Sequence, residues 1–298
     1  MDIEALRHFR FDEIRQSYSK KDTILYALGL GYGSDPLNPD ELRFTYEQDL
    51  HAVPSMVNIL AHPGFWVQRP ELKLNWRKLL HAEQRFDILR PLPPEGELSA
   101  TYRVTGVVDR GAAKGAWLYQ RKDLSDAAGR PVAQVSSTYL LRGDGGCGMF
   151  GTAEPELPPL PHRRADHVLR QPTLPQQALL YRLSGDMNPL HASPEVARQA
   201  GFDRPILQGL CTMGIACRAL ISVLCPGAPE RLRHLSLRFS HRVYPGETIQ
   251  TEVFDLGAGE IRFRSRVVER DVIVLDRGRA ELAPATAPAP DEMAASPG

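Results

Sequence analysis

Four cysteines in 298 residues are too few for a disulfide scaffold. Cys147, Cys211, Cys217 and Cys225 form no CxxC pair, and no histidine cluster completes a zinc spacing, so no metal site is expected. Three of the four fall in one apolar stretch and read as buried free thiols, which fits a reducing compartment. Excess charge of either sign is absent as well. Lys plus Arg total 36 and Asp plus Glu total 36. A neutral chain lacks the electrostatic footprint of a nucleic-acid binder and the polybasic segment of a membrane-surface protein. Any anionic ligand must therefore be met by local charge or by backbone dipoles. No long hydrophobic run is present either. Leu210 to Leu224, interrupted by Arg218, is too short for a membrane span. The first residues, charged from Asp2 onward, do not resemble a secretory signal. These absences predict a soluble, cytoplasmic protein of about two domains, with no nucleic-acid or membrane partner.

Proline is abundant, with 25 residues, and its placement divides the chain. Residues 143–162 are rich in Gly and Pro, lack periodicity, and read as a linker. The Pro/Ala-rich stretch 283–298 has nothing to bury and is expected to be disordered. Between these lie two halves, 1–142 and 163–282, that echo each other. Arg85-Phe86 leads to a Pro/Gly/Glu turn, and so does Arg238-Phe239. The segments Leu98–Val108, Ala116–Asp123 and Val132–Leu141 read as strands. Thr248–Leu256, Gly259–Glu269 and Asp271–Leu282 repeat that order. Each half thus predicts one antiparallel sheet, as from a duplication.

Each half also has a helix candidate for a sheet face. Leu210–Leu224 is apolar almost all round and is stopped by Pro226-Gly227, so it predicts a helix buried on most sides. Val53–Leu60 is its shorter, poorer counterpart, preceded by an amphipathic segment, Asp22–Leu30, with Gly29, Gly31 and Gly33 at its end.

The chemistry concentrates between Tyr181 and Glu195. Gly185 and Asn188-Pro189 force a turn, which sets Asp186, Asn188 and His191 on a tight loop. Ser193 is a good N-cap, Pro194 suits the first helical position, and Gly201 ends that helix. An acid, an amide and an imidazole so close together suit one bound water and shared proton work. Arg204–Gly209 then delivers the chain to the start of the apolar helix, where backbone N–H groups lack partners and carry the positive dipole end. The Gly209 N–H is a natural donor to a developing oxyanion. Each signal alone has a plainer reading: Asp186 and Asn188 as turn formers, His191 as a structural histidine, Gly209 as a tight-turn residue. From the residues alone, the set supports a site for acid–base chemistry beside an anion hole.

At these residues the chain resembles the MaoC-like (R)-specific enoyl-CoA hydratases, the hydratase 2 family. The motif Tyr-x-Leu-Ser-Gly-Asp-x-Asn-Pro-Leu-His is complete from Tyr181 to His191. Asp166–Arg170, Gly201–Leu207, Gly209–Thr212 and Phe239 with Val243–Gly246 agree with it, and Asp22–Gly31 is similar to the longer, two-half members. One departure is Gln208, where the family usually has histidine. The resemblance implies an α+β double hot-dog fold: two antiparallel sheets, each wrapping a central helix, joined by the Pro/Gly-rich linker. It implies a catalytic second half and a first half that accommodates the acyl chain. Asp186, Asn188 and His191 match catalytic positions, and Gly209 matches the oxyanion donor. The implied reaction is reversible syn hydration of a trans-2-enoyl-CoA to a (3R)-3-hydroxyacyl-CoA, with no cofactor or metal, in a homodimer. Which of Asp186 and His191 protonates C2 stays open. So do a specialised hydratase or dehydratase of a branched, dicarboxylic or sterol-side-chain CoA ester, a thioesterase, and a non-catalytic acyl-CoA binding module. Arg163, Arg164, Arg204 and Arg218 are candidates to meet CoA phosphates. The final Ser-Pro-Gly is no peroxisomal signal, which favours a cytoplasmic location.

Overall fold

The computed structural model describes residues 1–285. Eleven strands run in chain order: β1 (Ile14–Tyr18), β2 (Leu79–Ile88), β3 (Gly96–Asp109), β4 (Ala116–Asp126), β5 (Pro131–Leu141), β6 (Phe150–Gly151), β7 (His167–Pro172), β8 (Leu232–Phe239), β9 (Thr248–Asp255), β10 (Glu260–Val267) and β11 (Val272–Leu282). The helices are α1 (Ile3–His8), α2 (Lys20–Gly29), α3 (Pro39–Leu42), α4 (Gln177–Tyr181), α5 (Pro194–Gln199) and α6 (Gly209–Leu224). The six strands expected from alternation are all present, because each carries one face of side chains to the core and one outward.

The strand order is β1-β3-β4-β5-β2-β8-β11-β10-β9-β7, with β6 added beside β3. Read outward from the middle, both halves have the same order, as the sequence echo predicts. One expectation is corrected here. The halves do not form two separate sheets: β2 and β8 pair antiparallel, Glu83 opposite Arg238 through Asp87 opposite His234, and fuse them into one. The two Arg-Phe strands that marked the repeat are thus hydrogen-bonded neighbours. Arg238 donates to Glu83 across the join, and His234 Nδ1 lies 2.8 Å from an Asp87 carboxylate oxygen.

The central helix of the second half is α6, buried from Cys211 through Ile221. Gly214 lets α6 pack tightly against the first half. A methyl group there would lie 2.4 Å from Leu30 Cδ2, and Leu30 is itself buried. Gly214→Ala should cost about 1–3 kcal/mol of stability by overpacking. Denaturant midpoints would show this, and a second change, Leu30→Ala, should recover part of the loss. In the first half the expected helix is reduced to a 3-10 turn, Pro54–Asn58. Its end is held by a lysine: Lys122 Nζ donates to the carbonyls of Val57, Asn58 and Leu60 at 2.6, 3.0 and 3.0 Å. The segment Asp22–Leu30 is indeed helical, but α2 starts earlier, at a capping box between Ser19 and Asp22.

Arg218 lies in the middle of α6 and is buried. Its Nε donates to Glu41 at 2.9 Å, its guanidinium also donates to Ser34, and it packs over Tyr32. It therefore ties the second-half helix to the first half and is not available to a CoA phosphate. The segment expected as a linker is not loose. Residues 143–162 contain β6, and the Pro155 and Leu157 carbonyls accept hydrogen bonds from Arg85 and Arg277, so the segment is strapped onto the sheet near the join. Most of the stretch expected to be disordered lies outside the described residues. Ala283 at its start donates its N–H to the Arg231 carbonyl and accepts from Arg231 Nε. Among the described residues no helix is long and apolar enough to cross a membrane.

Candidate active site

The loop between α4 and α5 is built by short-range bonds that its residue types dictate. A 3-10 turn, Arg182–Ser184, ends at Gly185, whose φ of 125° lies in the region that favours glycine. Asp186 then accepts from the Asn188 N–H at 3.2 Å, and the Asn188 side-chain oxygen accepts from the Leu190 N–H at 3.1 Å. This second bond caps the 3-10 turn Pro189–His191. Ser193 caps α5 through Val196, with Pro194 as its first residue. Asn188 is thus spent, through its oxygen, on shaping the turn that presents His191.

His191 is buried, and its Nδ1 lies 2.8 Å from the Ile206 carbonyl. A carbonyl only accepts, so Nδ1 carries the proton, and in the neutral ring Nε2 is left with a lone pair. That Nε2 lies 3.7 Å from an Asp186 carboxylate oxygen. The separation is too long for a direct hydrogen bond and lets both atoms hold the same water. Burial lowers the His191 pKa, with Asp186 and the Ile206 carbonyl opposing the shift. His191 is therefore neutral at pH 7. If it acts as the base, kcat/KM should stay level as pH falls through 6.5 and decline only below it, because the unprotonated ring persists to lower pH. A pH–rate profile whose acid limb lies at or above 6.5 would contradict this assignment.

Ile206 belongs to the segment that feeds α6. The Leu207 N–H donates to the Val243 carbonyl at 2.8 Å, and Gln208 Nε2 donates to the Ala178 carbonyl at 3.1 Å. Gln208 is buried, so the amide that replaces the family's usual histidine braces α4 against the start of α6. The next residue, Gly209, opens α6, and no side chain caps that end. A side chain at Gly209 would press on Phe239, whose ring is 3.3 Å from the position of a Cβ. The structure therefore brings Asp186 and His191 together and anchors His191 to the strand of chain that ends at the Gly209 N–H.

One first-half residue packs against this region and a second feels its charge; neither is singled out from the sequence. His81 on β2 packs edge-on against Phe239, with centroids 4.9 Å apart, and against Tyr139 at 5.0 Å. Its Nε2 is 2.8 Å from Gln84 Oε1. Gln84 in turn donates to Asn58, whose amide donates to the Ser55 carbonyl, so the Gln84 oxygen must be the acceptor and His81 the donor. His62 accepts from the Gly64 N–H. Burial lowers both His62 and His81 to about 4, while the negative charge of Asp186 opposes the shift at each. The charge of Asp186 is thus felt by two neutral imidazoles of the first half. No local pattern marks them; His81 reaches Phe239 only because β2 lies beside β8.

The remaining arginine candidates differ in kind. Arg163 pairs with Asp166 at 2.7 Å and donates to the Asp255 carbonyl. Arg204 packs over Tyr244.

Comparison with known proteins gives the family. Residues 157–277 match the MaoC like domain, and residues 16–143 match the MFE-2 hydratase 2 N-terminal domain. The chain is 36% identical to the peroxisomal enoyl-CoA hydratase 2 of Arabidopsis thaliana, over 91% of this chain and 93% of that one. A MaoC-like dehydratase from Phytophthora capsici superposes with a TM-score of 0.84 at 34% identity, covering 95% of this chain and 99% of that one. A Mycobacterium tuberculosis protein with a double hotdog fold shares the fold alone, with a TM-score of 0.56 at 16% identity over 92% of this chain and 96% of that one. The strand order repeated about β2 and β8, the buried α6 and the two matched domains place the chain in the MaoC-like hydratase/dehydratase family, in its two-half hydratase 2 form.

Proposed function

We propose that the protein catalyses reversible syn hydration of a trans-2-enoyl-CoA to a (3R)-3-hydroxyacyl-CoA. The observation that carries this reading is the facing pair itself: a neutral His191 Nε2 and an Asp186 carboxylate 3.7 Å apart, anchored to the segment that ends at an uncapped helix start. The thioester carbonyl accepts from the Gly209 N–H. That donor and the α6 dipole stabilise the enolate character that develops as water attacks C3. Asp186 and His191 hold the water between them. Its oxygen bonds to C3, one of its protons is taken up by the pair, and a proton is delivered to C2, so the enzyme ends unchanged. Both events use one face of the alkene because one loop serves both carbons. Asn188 sets the turn that aims His191.

The thioester activates its own alkene, so the reaction as written calls for no cofactor or metal. The first half, with its shortened central turn, leaves room for the acyl chain, and 1–142 and 163–282 act as its acyl-accommodating and catalytic parts. The active form is a homodimer of such chains. The free thiols at Cys147, Cys211, Cys217 and Cys225 suit a reducing cytoplasm. Purified protein given crotonyl-CoA should bleach the enoyl absorbance, and chiral analysis should return the (3R) alcohol. Free thiol release without hydration would instead indicate a thioesterase.

A further inference from the structure

The segment leading to Gly209 passes a group of arginines that the chemistry above does not use. Arg204, Arg242 and Arg270 converge on the ring of Tyr244, with guanidinium carbons 4.8, 5.5 and 5.3 Å from its centroid. Arg270 is neutralised by Glu247. Arg242 donates to the Tyr244 hydroxyl at 2.7 Å and packs over Phe202, and Arg204 packs on the same tyrosine. Among the described residues neither Arg204 nor Arg242 has a carboxylate in ion-pair range, although Asp203 is adjacent in sequence. Each cation gains from the ring face. Yet the two sit within about one Debye length of each other, about 10 Å at 0.1 M salt, and repel. Such convergence without a counter-charge is the arrangement of an anion site.

Its distance from the proposed reacting centre is bounded by the chain. Leu207 is hydrogen-bonded to Val243, the residue between Arg242 and Tyr244. Arg204 lies five residues before Gly209, a stretch that spans at most about 17 Å when extended. That is within the reach of a pantetheine arm whose thioester carbonyl is held at the Gly209 N–H. Guanidinium groups also match phosphate oxygens bidentately. We propose that Arg204 and Arg242 bind the phosphate groups of the thioester's carrier, the diphosphate or 3′-phosphate of CoA. The proposal rests on the enoyl-thioester reading above.

Paired substrates test it: crotonyl-CoA, and crotonyl-pantetheine, which carries no phosphate. With Arg204→Gln plus Arg242→Gln, KM for the CoA ester should rise at least about tenfold, as expected for lost charge-assisted hydrogen bonds, with kcat little changed. KM for the pantetheine ester should match the wild type. Crotonyl-3′-dephospho-CoA assigns the phosphate: if it behaves like the CoA ester, the diphosphate is the group bound, and if like the pantetheine ester, the 3′-phosphate. An equal loss on both esters, which a structural role would give, or an unchanged KM for the CoA ester, overturns the proposal. If the wild type hydrates neither ester, the functional reading fails separately. Calorimetry with CoA itself then decides the arginine site: binding lost in the double variant supports it, and binding unaffected by the substitutions overturns it.

Discussion

Asp186→Asn and His191→Ala are each expected to reduce kcat for enoyl-CoA hydration by about 10²–10⁴-fold, the usual weight of a general acid or base. Asp186→Asn is the cleaner change. It keeps the shape of the side chain and leaves an amide oxygen to accept from the Asn188 N–H, so the turn survives while the carboxylate is lost. His191→Ala also frees the Ile206 carbonyl, which then needs another donor near the start of α6. It should therefore affect KM as well as kcat, whereas Asp186→Asn should act mainly on kcat. If the two groups share one water, as proposed, the double variant should be little worse than either single one. Stopped-assay kinetics on all three proteins check this. Wild-type turnover in both single variants would remove Asp186 and His191 from the chemistry.

The largest effect on stability is expected at Lys122. Its ammonium is buried and satisfies three carbonyls at the end of the 3-10 turn that stands in for a central helix. Lys122→Ala removes the charge and its stem together. It strands three buried acceptors and opens a cavity, for a loss of about 3–5 kcal/mol in unfolding free energy. Lys122→Met keeps most of the stem and isolates the hydrogen-bond part, so it should fall between wild type and Lys122→Ala. Denaturant unfolding of the three proteins gives the comparison. A Lys122→Ala protein within about 1 kcal/mol of wild type would mean that water or a local shift satisfies those carbonyls.

What could be read from the sequence was what neighbouring residues decide. Gly185, Asn188-Pro189 and Ser193-Pro194 each dictate a backbone conformation within a few residues, so the loop carrying Asp186 and His191 and the start of α5 were legible down to single positions. The strands were legible because alternation is local. Contacts between distant segments were not. Arg218 reads as a flaw in an apolar run, since its partner Glu41 is 177 residues away. Lys122 reads as one polar position in a strand, and nothing nearby shows that it finishes a turn some 60 residues earlier, with Leu60 at a separation of 62. His81 is another such case. It comes beside the candidate site only because β2 lies beside β8 and brings its ring against Phe239. The linker looked passive because Pro and Gly carry no periodicity, while its anchors, Arg85 and Arg277, lie on other strands.

The seam between β2 and β8 has a consequence for how the polypeptide can be divided. The chain crosses from one half to the other only through the segment that follows β6, which carries no strand or helix before β7. Two separately expressed fragments, cut within residues 152–161, should therefore reassemble by re-forming the Glu83–Asp87 and His234–Arg238 ladder. Either fragment alone keeps a long, bare, hydrogen-bonding edge in place of that ladder. Each is expected to pair with itself or aggregate until its complement is added, and recovered turnover on mixing would report the docking of the two edges.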